Sequence, residues 1–335
     1  MKKKKILLVG GCGFIGHNLA LKLKKRGHIP IIVDSLSINN IYSNDNNEVK
    51  NQKLYNLILN SRIDLFKSNQ IDLKIQDARN YHEISKLYDE INPDIIIHLA
   101  AVSHANRSNK DPHTTFDNSL RTLENTLDFA KSSKTHVIYM SSSMVYGDFE
   151  SKEVNEESNC KPIGIYGTLK YAGELMIKSY NQVFDLPYTI IRPSALYGER
   201  CVSRRVGQIF IENAIQGLDI NINGNGEDKL DFTYIEDLIK GISDCCEKNK
   251  AINETFNLTY GNARKINELI EILKIEFPRI KVIYKEKEKF MPERGTLSMQ
   301  KAGRLLDYKP EWPIEKGYKE YIKWYLDFYK SNFDK

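Results

Sequence analysis

Hydrophobic positions along the chain fall into short uninterrupted runs separated by longer stretches with helical spacing. "KILLVG" (5–10), "IPIIVD" (29–34), "DLKIQDA" (72–78), "PDIIIHLAA" (93–101), "HVIYMSS" (136–142) and "YTIIRPS" (188–194) read as strands. They are continuous apolar runs, not in-out alternations, as expected for a parallel sheet covered on both faces. Residues 14–26, 81–91, 113–132 and 166–184 read as helices between them. This β-α-β-α succession over about 190 residues predicts an α/β fold with a doubly wound parallel sheet.

Two regions break the alternation. Residues 36–70 insert an Asn- and Asp-rich loop, "SINNIYSNDNNEVKNQ", and then a helix, "KLYNLILNSRIDLFK", between the second and third strands. Beyond Pro193 the order changes to a mixture of helices (around 204–217, 236–248, 265–276, 298–307 and 314–330) and short extended pieces such as "ETFNLTYG" and "IKVIYK". The expected organisation is a nucleotide-binding domain over 1–193, joined by a returning segment around 231–258. A smaller mixed α/β lobe over 194–335 completes the chain. No internal repeat or low-complexity tract is visible.

Composition narrows the classes. A chain of 335 residues can bury a large core, and 41% apolar with 28% charged residues is ordinary for a globular protein. The net charge of +5 arises from 49 basic against 44 acidic residues. That balance reads as a solvated lysine-rich surface with some phosphate-binding arginines, and no nucleic-acid partner is expected. No window reaches 18 uninterrupted apolar residues, so no membrane span is expected. After "MKKKK", the apolar run Ile6 to Val9 is too short for a signal-peptide core. The five cysteines lack metal-ligand spacing, which predicts free thiols, a cytoplasmic location and no bound metal.

The candidate chemistry begins at "GGCGFIG", where Gly10, Gly13 and Gly16 follow a strand and open a helix. Glycines permit a tight turn and close backbone approach to a pyrophosphate, and the helix N-terminus offers unpaired N–H groups. A glycine-rich turn without a ligand is the competing reading. The second strand ends at Asp34, where a carboxylate accepts both ribose hydroxyls and repels a 2′-phosphate, favouring NAD over NADP. Asp77 follows the third strand, placed for the adenine ring or, alternatively, for capping its own loop.

The segments "GGCGFIG", "QDARN", "HLAAVSHANRS", "MSSSMVYGD", "YGTLK", "IRPSALYG", "LDFTYIEDL" and "RGTLSMQKAGRLLDY" occur in this order along nearly the whole chain. In this combination the chain resembles an extended short-chain dehydrogenase/reductase of the nucleotide-sugar epimerase and dehydratase group. The resemblance implies a Rossmann-type sheet and a catalytic set of Ser142, Tyr166 and Lys170. It implies NAD bound by Gly10, Gly13, Phe14, Ile15, Gly16, Asp34, Asp77, Ala78, Leu99, Ala100, Ala101, Asn118, Tyr166 and Lys170. On periodicity alone Tyr166 and Lys170 would be a surface pair one helical turn apart. In this context an ammonium beside the phenol lowers its pKa from about 10 and makes it an acid/base at neutral pH.

For the substrate, the resemblance implies a UDP- or GDP-linked sugar in the second lobe. Ser103, Ser143, Arg200, Arg204, Arg205 and Arg294 are its candidate contacts, with arginines suited to a diphosphate by their planar fork. Arg294 matches a family arginine that contacts pyrophosphate, although the spacing is shortened to "RG". Leu230 replaces an arginine that often contacts the diphosphate, and Arg121 stands where a glycine is usual. Dehydratases of the group carry a glutamate after the triad hydroxyl, and this chain has Ser143 and Met144, which argues against elimination of water. The implied activity is epimerisation through transient oxidation at C4. A 4-dehydrogenase or ketoreductase is the alternative, and a non-catalytic NAD-binding regulator a third reading. By analogy with relatives, a homodimer would pair through the helices near 113–132 and 166–184.

Overall fold

In the computed structural model, residues 2–38, 41, 51–103, 105–287 and 292–333 are described. Most of the expected Asn-rich loop, and His104 of "SHANRS", lie outside them. The centre is a seven-stranded parallel sheet of β1 (Lys5–Val9), β2 (Ile29–Asp34), β3 (Asp72–Ile75), β4 (Ile95–His98), β5 (His136–Met140), β6 (Tyr188–Arg192) and β7 (Glu254–Asn257). Its order is β7-β6-β5-β4-β1-β2-β3, so the chain reverses direction of travel between β1 and β4. In such sheets ligands bind beyond the carboxyl ends of the strands at that reversal.

The continuous apolar runs are explained by burial on both faces, except in β3, which the sequence also leads one to expect covered but which is the sheet's edge strand and is largely exposed. Within β1, Ile6 and Leu8 join one core, with Ile32, Ile97, Ile138 and Phe256. Leu7 and Val9 join the other, with Val33, Ile96, Val137 and Ile190. Helices α1 (Phe14–Lys25) and α2 (Gln52–Ser68) precede α3 (Tyr81–Ile91), α4 (Thr122–Ser133) and α5 (Gly164–Phe184). Beyond β6 come α6 (Val206–Ile215), α7 (Ile235–Glu247), α8 (Ile266–Glu276), α9 (Gln300–Leu306) and α10 (Ile314–Phe333). Helix α7 packs on α1, and β7 pairs with β6, so this returning segment completes the sheet layer. The rest of the second half forms two-stranded pieces, including Ile220–Asn223 with Val282–Lys285 and Leu196–Tyr197 with Thr233–Tyr234.

One expected helix is different in form. The stretch read as 113–132 is broken into Pro112–Phe116, a π-helical turn, Asp117–Arg121, and α4, and a further short helix, Ala105–Lys110, precedes it. Pro112 cannot continue a preceding helix, and Asp111 restarts the chain by accepting from Thr114 N at 3.1 Å. Asn118 bonds back to Thr114 O at 2.8 Å within the widened turn, and Arg121 is exposed there.

Helix α5 is fixed to the sheet by a buried ion pair. Arg192, the last residue of β6, grips Glu174 through Nε at 2.9 Å and a terminal nitrogen at 2.6 Å. Ser141 donates to the same carboxylate at 2.5 Å, and Arg192 also reaches Tyr146 Oη at 2.9 Å. Tyr146 passes the network on to Asn257 of β7 at 2.8 Å. Burial opposes the Arg192 charge, but the Glu174 carboxylate outweighs it and raises the guanidinium pKa further. Arg192→Met, which strands the Glu174 charge, is expected to cost about 3–5 kcal/mol in denaturant unfolding, while pairing it with Glu174→Leu recovers most of that loss.

Candidate active site

The glycine turn is shaped by what surrounds it. Gly10 has φ +78°, and a Cβ there would fall 2.6 Å from Ala100 N, where β4 ends. At Gly16 a Cβ would lie 2.4 Å from Gly11 O, so only glycine lets α1 start this close to the turn. Gly13 is the N-cap of α1 and supplies no side-chain cap, which leaves first-turn N–H groups for an anion. The turn opens into a cleft of about 970 Å³. Gly10, Gly13, Phe14, Ile15, Gly16, Asp34, Asp77, Ala78, Leu99, Ala100, Ala101 and Asn118 all line it. Asn118 arrives there from the π-helical turn.

Asp34 is held rigidly at the cleft. Its carboxylate accepts from Cys12 N at 2.9 Å and Leu36 N at 2.7 Å. Burial raises its pKa, while these two N–H groups and the Arg62 charge oppose the shift. A carboxylate has about four acceptor positions, so two remain for a pair of ribose hydroxyls. Asp77 is braced by Arg79, whose hydrogen bonds keep the carboxyl pKa low, and it also accepts from Arg79 N at 2.9 Å. The residues thus fit a dinucleotide: a phosphate turn at one end, an acid for the adenosine ribose, and apolar walls from Leu99 to Ala101.

Ser142 and Lys170 stand where β5 ends and Tyr166 lies one turn before Lys170 on α5, but none of the three is among the residues lining the cleft. Ser142 caps a 3₁₀ turn, Ser143–Tyr146, accepting from Met144 N at 3.2 Å. Gly167, Lys170, Gly173, Glu174 and Ile177 form the buried stripe of α5. A Cβ on Gly167 would fall 2.8 Å from Met144 O, and one on Gly173 2.4 Å from Tyr139 Oη. These glycines let the helix lie directly on β5 and its following turn. Lys170 Nζ donates to Met140 O at 2.6 Å and sits 5.0 Å from the Tyr139 ring centre. Burial lowers its pKa to about 8, against the pull of Glu174. Tyr166 is half-buried in the first turn of the helix, within electrostatic reach of Tyr139 and Arg294.

The substrate-side candidates separate into groups. Arg294 donates to Ser143 Oγ, to Ser194 Oγ at 3.1 Å and toward Met144 Sδ at 2.9 Å. Burial lowers its pKa to about 10, with Asp231 opposing. Arg205 reaches Ser103 O at 3.4 Å and, with Ser103, lines the cleft below. It also lines a second cleft of about 710 Å³, together with Arg204, Leu230, Phe232 and Tyr318. Leu230 is therefore part of an apolar wall. Arg200 lines neither cleft; its guanidinium pairs with Glu199 at 3.1 Å and stands 5.7 Å from the Trp324 ring centre. Among the described residues no His, Cys, Asp and Glu group is suited to a metal ion, and no helix is long and apolar enough to cross a membrane.

Arg62 was not an expected site residue. It lies in α2, 1% exposed, and lines the cofactor cleft. The signal for it is positional: Tyr55, Ile58, Leu59, Arg62 and Phe66 share the buried stripe of α2, so a charged residue occupies a core position. A buried arginine needs partners, and the sequence alone names none.

Comparison with known proteins agrees with the fold. Protein CapI of Staphylococcus aureus is 27% identical over 98% of this chain and its own full length. UDP-glucuronate 4-epimerase 1 of Arabidopsis thaliana is 26% identical, covering 98% of this chain and 78% of the relative. The crystal structure of UDP-glucuronic acid 4-epimerase from Bacillus cereus, in complex with UDP-glucuronic acid and NAD, superposes with a TM-score of 0.87. That pair is 25% identical, with 97% of this chain and all of the other covered. Residues 6–259 match the model of the NAD dependent epimerase/dehydratase family, and the chain belongs to that family.

Proposed function

We propose that this protein is an NAD-dependent 4-epimerase of a UDP-linked sugar. The observation that carries the reading is the cleft lined by the glycine turn, Asp34 and Asp77; it is supported by Ser142 and Lys170 at the end of β5, with Tyr166 one turn before Lys170 and a thioether at Met144 where elimination would need a carboxylate. NAD, when bound, supplies a hydride acceptor and returns the hydride. Tyr166 takes the proton from the sugar hydroxyl and later restores it. Lys170, an ammonium at neutral pH, supplies positive charge one turn further along the same helix. Ser142 aligns the hydroxyl through its Oγ, while its N-cap bond to Met144 fixes that atom in place. Arg205 and Arg204 border the cleft on the lobe side and supply charge for a diphosphate, and Arg294 supplies it at the edge of the triad. Exposed Leu175 and Val183 on α5 support pairing of two copies through α4 and α5.

The test is incubation of purified protein with UDP-glucose and UDP-glucuronic acid without added cofactor. Formation of the C4 epimer without net NADH is expected, and accumulation of NADH until an oxidant is supplied would indicate a dehydrogenase or ketoreductase. Tyr166→Phe should lower kcat by about 10²–10⁴-fold; undiminished turnover would remove Tyr166 from the mechanism. The charge on Lys170 is present below its pKa of about 8 and lost above it. Activity should therefore decline as pH rises through about 8. Lys170→Arg, whose guanidinium stays charged, should flatten that alkaline limb even if its overall rate is lower.

A further inference from the structure

Resting on the reading that the two clefts hold NAD and a nucleotide sugar, we propose that Arg62 couples them, so that a ligand in one slows release from the other. Helix α2 lies in an insertion that the parallel sheet does not require. From it, the guanidinium of Arg62 donates to Cys12 O of the glycine turn at 3.1 Å and to Arg200 O of the loop after Gly198. One buried cation thus brackets the backbones of the cofactor turn and the substrate loop. Its Nε has no hydrogen-bond partner among the described residues, and Asp34 is the carboxylate that acts on it electrostatically. A buried arginine is costly unless its donors are used, and here the donors that are used hold two loops together.

The bracketed loop belongs to both sites. Val202, Ser203 and Arg205 line the cofactor cleft, and Arg204 and Arg205 line the second cleft. Its backbone does not hold this shape unaided, since Arg200 (φ +61°) and Arg204 (φ +50°) are both left-handed. Arg62 secures the first of them. The second is secured by Gln208 Oε1, which accepts from Arg204 N at 2.9 Å. Gln208 is tied back to α2, because its Nε2 meets Tyr55 Oη at 3.3 Å and Glu212 at 2.8 Å. The buried Glu212 carboxylate also accepts from Tyr55 at 2.8 Å and Tyr325 at 2.9 Å. The insertion helix therefore grips the loop at both ends. A cofactor beneath the loop leaves only when the loop moves, and a nucleotide diphosphate on Arg204 and Arg205 opposes that movement. Arg62 acts as a positioning residue, and the coupling is reciprocal.

The experiment measures the rate of NAD exchange from the full-length protein against labelled NAD, with and without UDP. UDP is expected to slow exchange from the wild type by about fivefold or more. In Arg62→Met, exchange should be faster without UDP, and the UDP effect should be lost. Arg62→Lys, which can still reach one carbonyl, should restore part of the slow exchange. Should Arg62→Met fail to fold, Tyr55→Phe removes the second grip with little change of shape and should weaken the UDP effect. A wild-type exchange rate indifferent to UDP, or an Arg62→Met protein with the full UDP effect, overturns the coupling. Calorimetric titrations of NAD and UDP separate the two levels: independent binding of both sinks only the coupling, whereas failure of either to bind sinks the functional reading beneath it.

Discussion

The bidentate contact between Arg192 and Glu174 sets where helix α5, which carries Tyr166 and Lys170, lies. Arg192 is the last residue of a central strand, and Glu174 is one turn beyond Lys170 on α5. Once that pair forms, the height of α5 along its axis is fixed relative to the strand ends. Ser141 on the same carboxylate fixes the residue before the catalytic Ser142 in the same act. The contact continues through Tyr146 to Asn257, so the carboxyl ends of β5, β6 and β7 are bound into one polar network. Buried ion pairs are weak contributors to net stability compared with well-packed apolar groups, but their geometry admits few alternatives. On the proposed mechanism that geometry has a use, because a displacement of about 1 Å in a catalytic group is enough to cost much of the rate.

The charges above this platform are unbalanced in one direction. Lys170 and Arg62 are buried cations and Arg294 is half-buried, and desolvation lowers the pKa of each, to about 8 for Lys170 and about 10 for the two arginines. Asp231, the acid that acts on Arg294, is itself committed to Thr259, Gly261 and Leu297. Desolvated cations of this kind attract anions strongly, because the cost of removing their water has already been met by the fold. Phenolate, diphosphate and the phosphates of a dinucleotide are the anions that suit them.

Much of this was legible in the sequence because it depends on local rules. Continuous Val, Ile and Leu runs mark strands buried on both faces, and each of the six that were quoted corresponds to a strand of the sheet, with the seventh in "ETFNLTYG", but "DLKIQDA" forms the edge strand β3 and is largely exposed. The glycine turn was legible because close backbone approach at Gly10 and Gly16 forbids any other residue. Features made by contacts distant in sequence were not. The π-helical turn that delivers Asn118 arises where a restarted helix meets α5, and nothing in "HTTFDNSLRT" announces it. Arg200 belongs to the same basic run as Arg204 and Arg205, yet the left-handed backbone at Arg200 directs its side chain to Glu199 and Trp324, away from both clefts. Arg62 sits at a core position of an amphipathic helix, and only the folded chain shows that two loop carbonyls await it.

The insertion gives the glycine turn a second meaning. In a bare doubly wound sheet the turn is open, and a dinucleotide could come and go along the strand ends. Here Arg62 and the loop from Gly198 to Arg205 form part of the wall of that opening. An enzyme that passes a hydride from one substrate to another must exchange or recycle its cofactor between substrates. A reaction that returns the hydride to the same sugar leaves the cofactor unchanged, and enclosure then costs nothing in turnover. The architecture around Arg62 is thus the kind of constraint that a self-regenerating hydride carrier can tolerate and a freely exchanging one cannot.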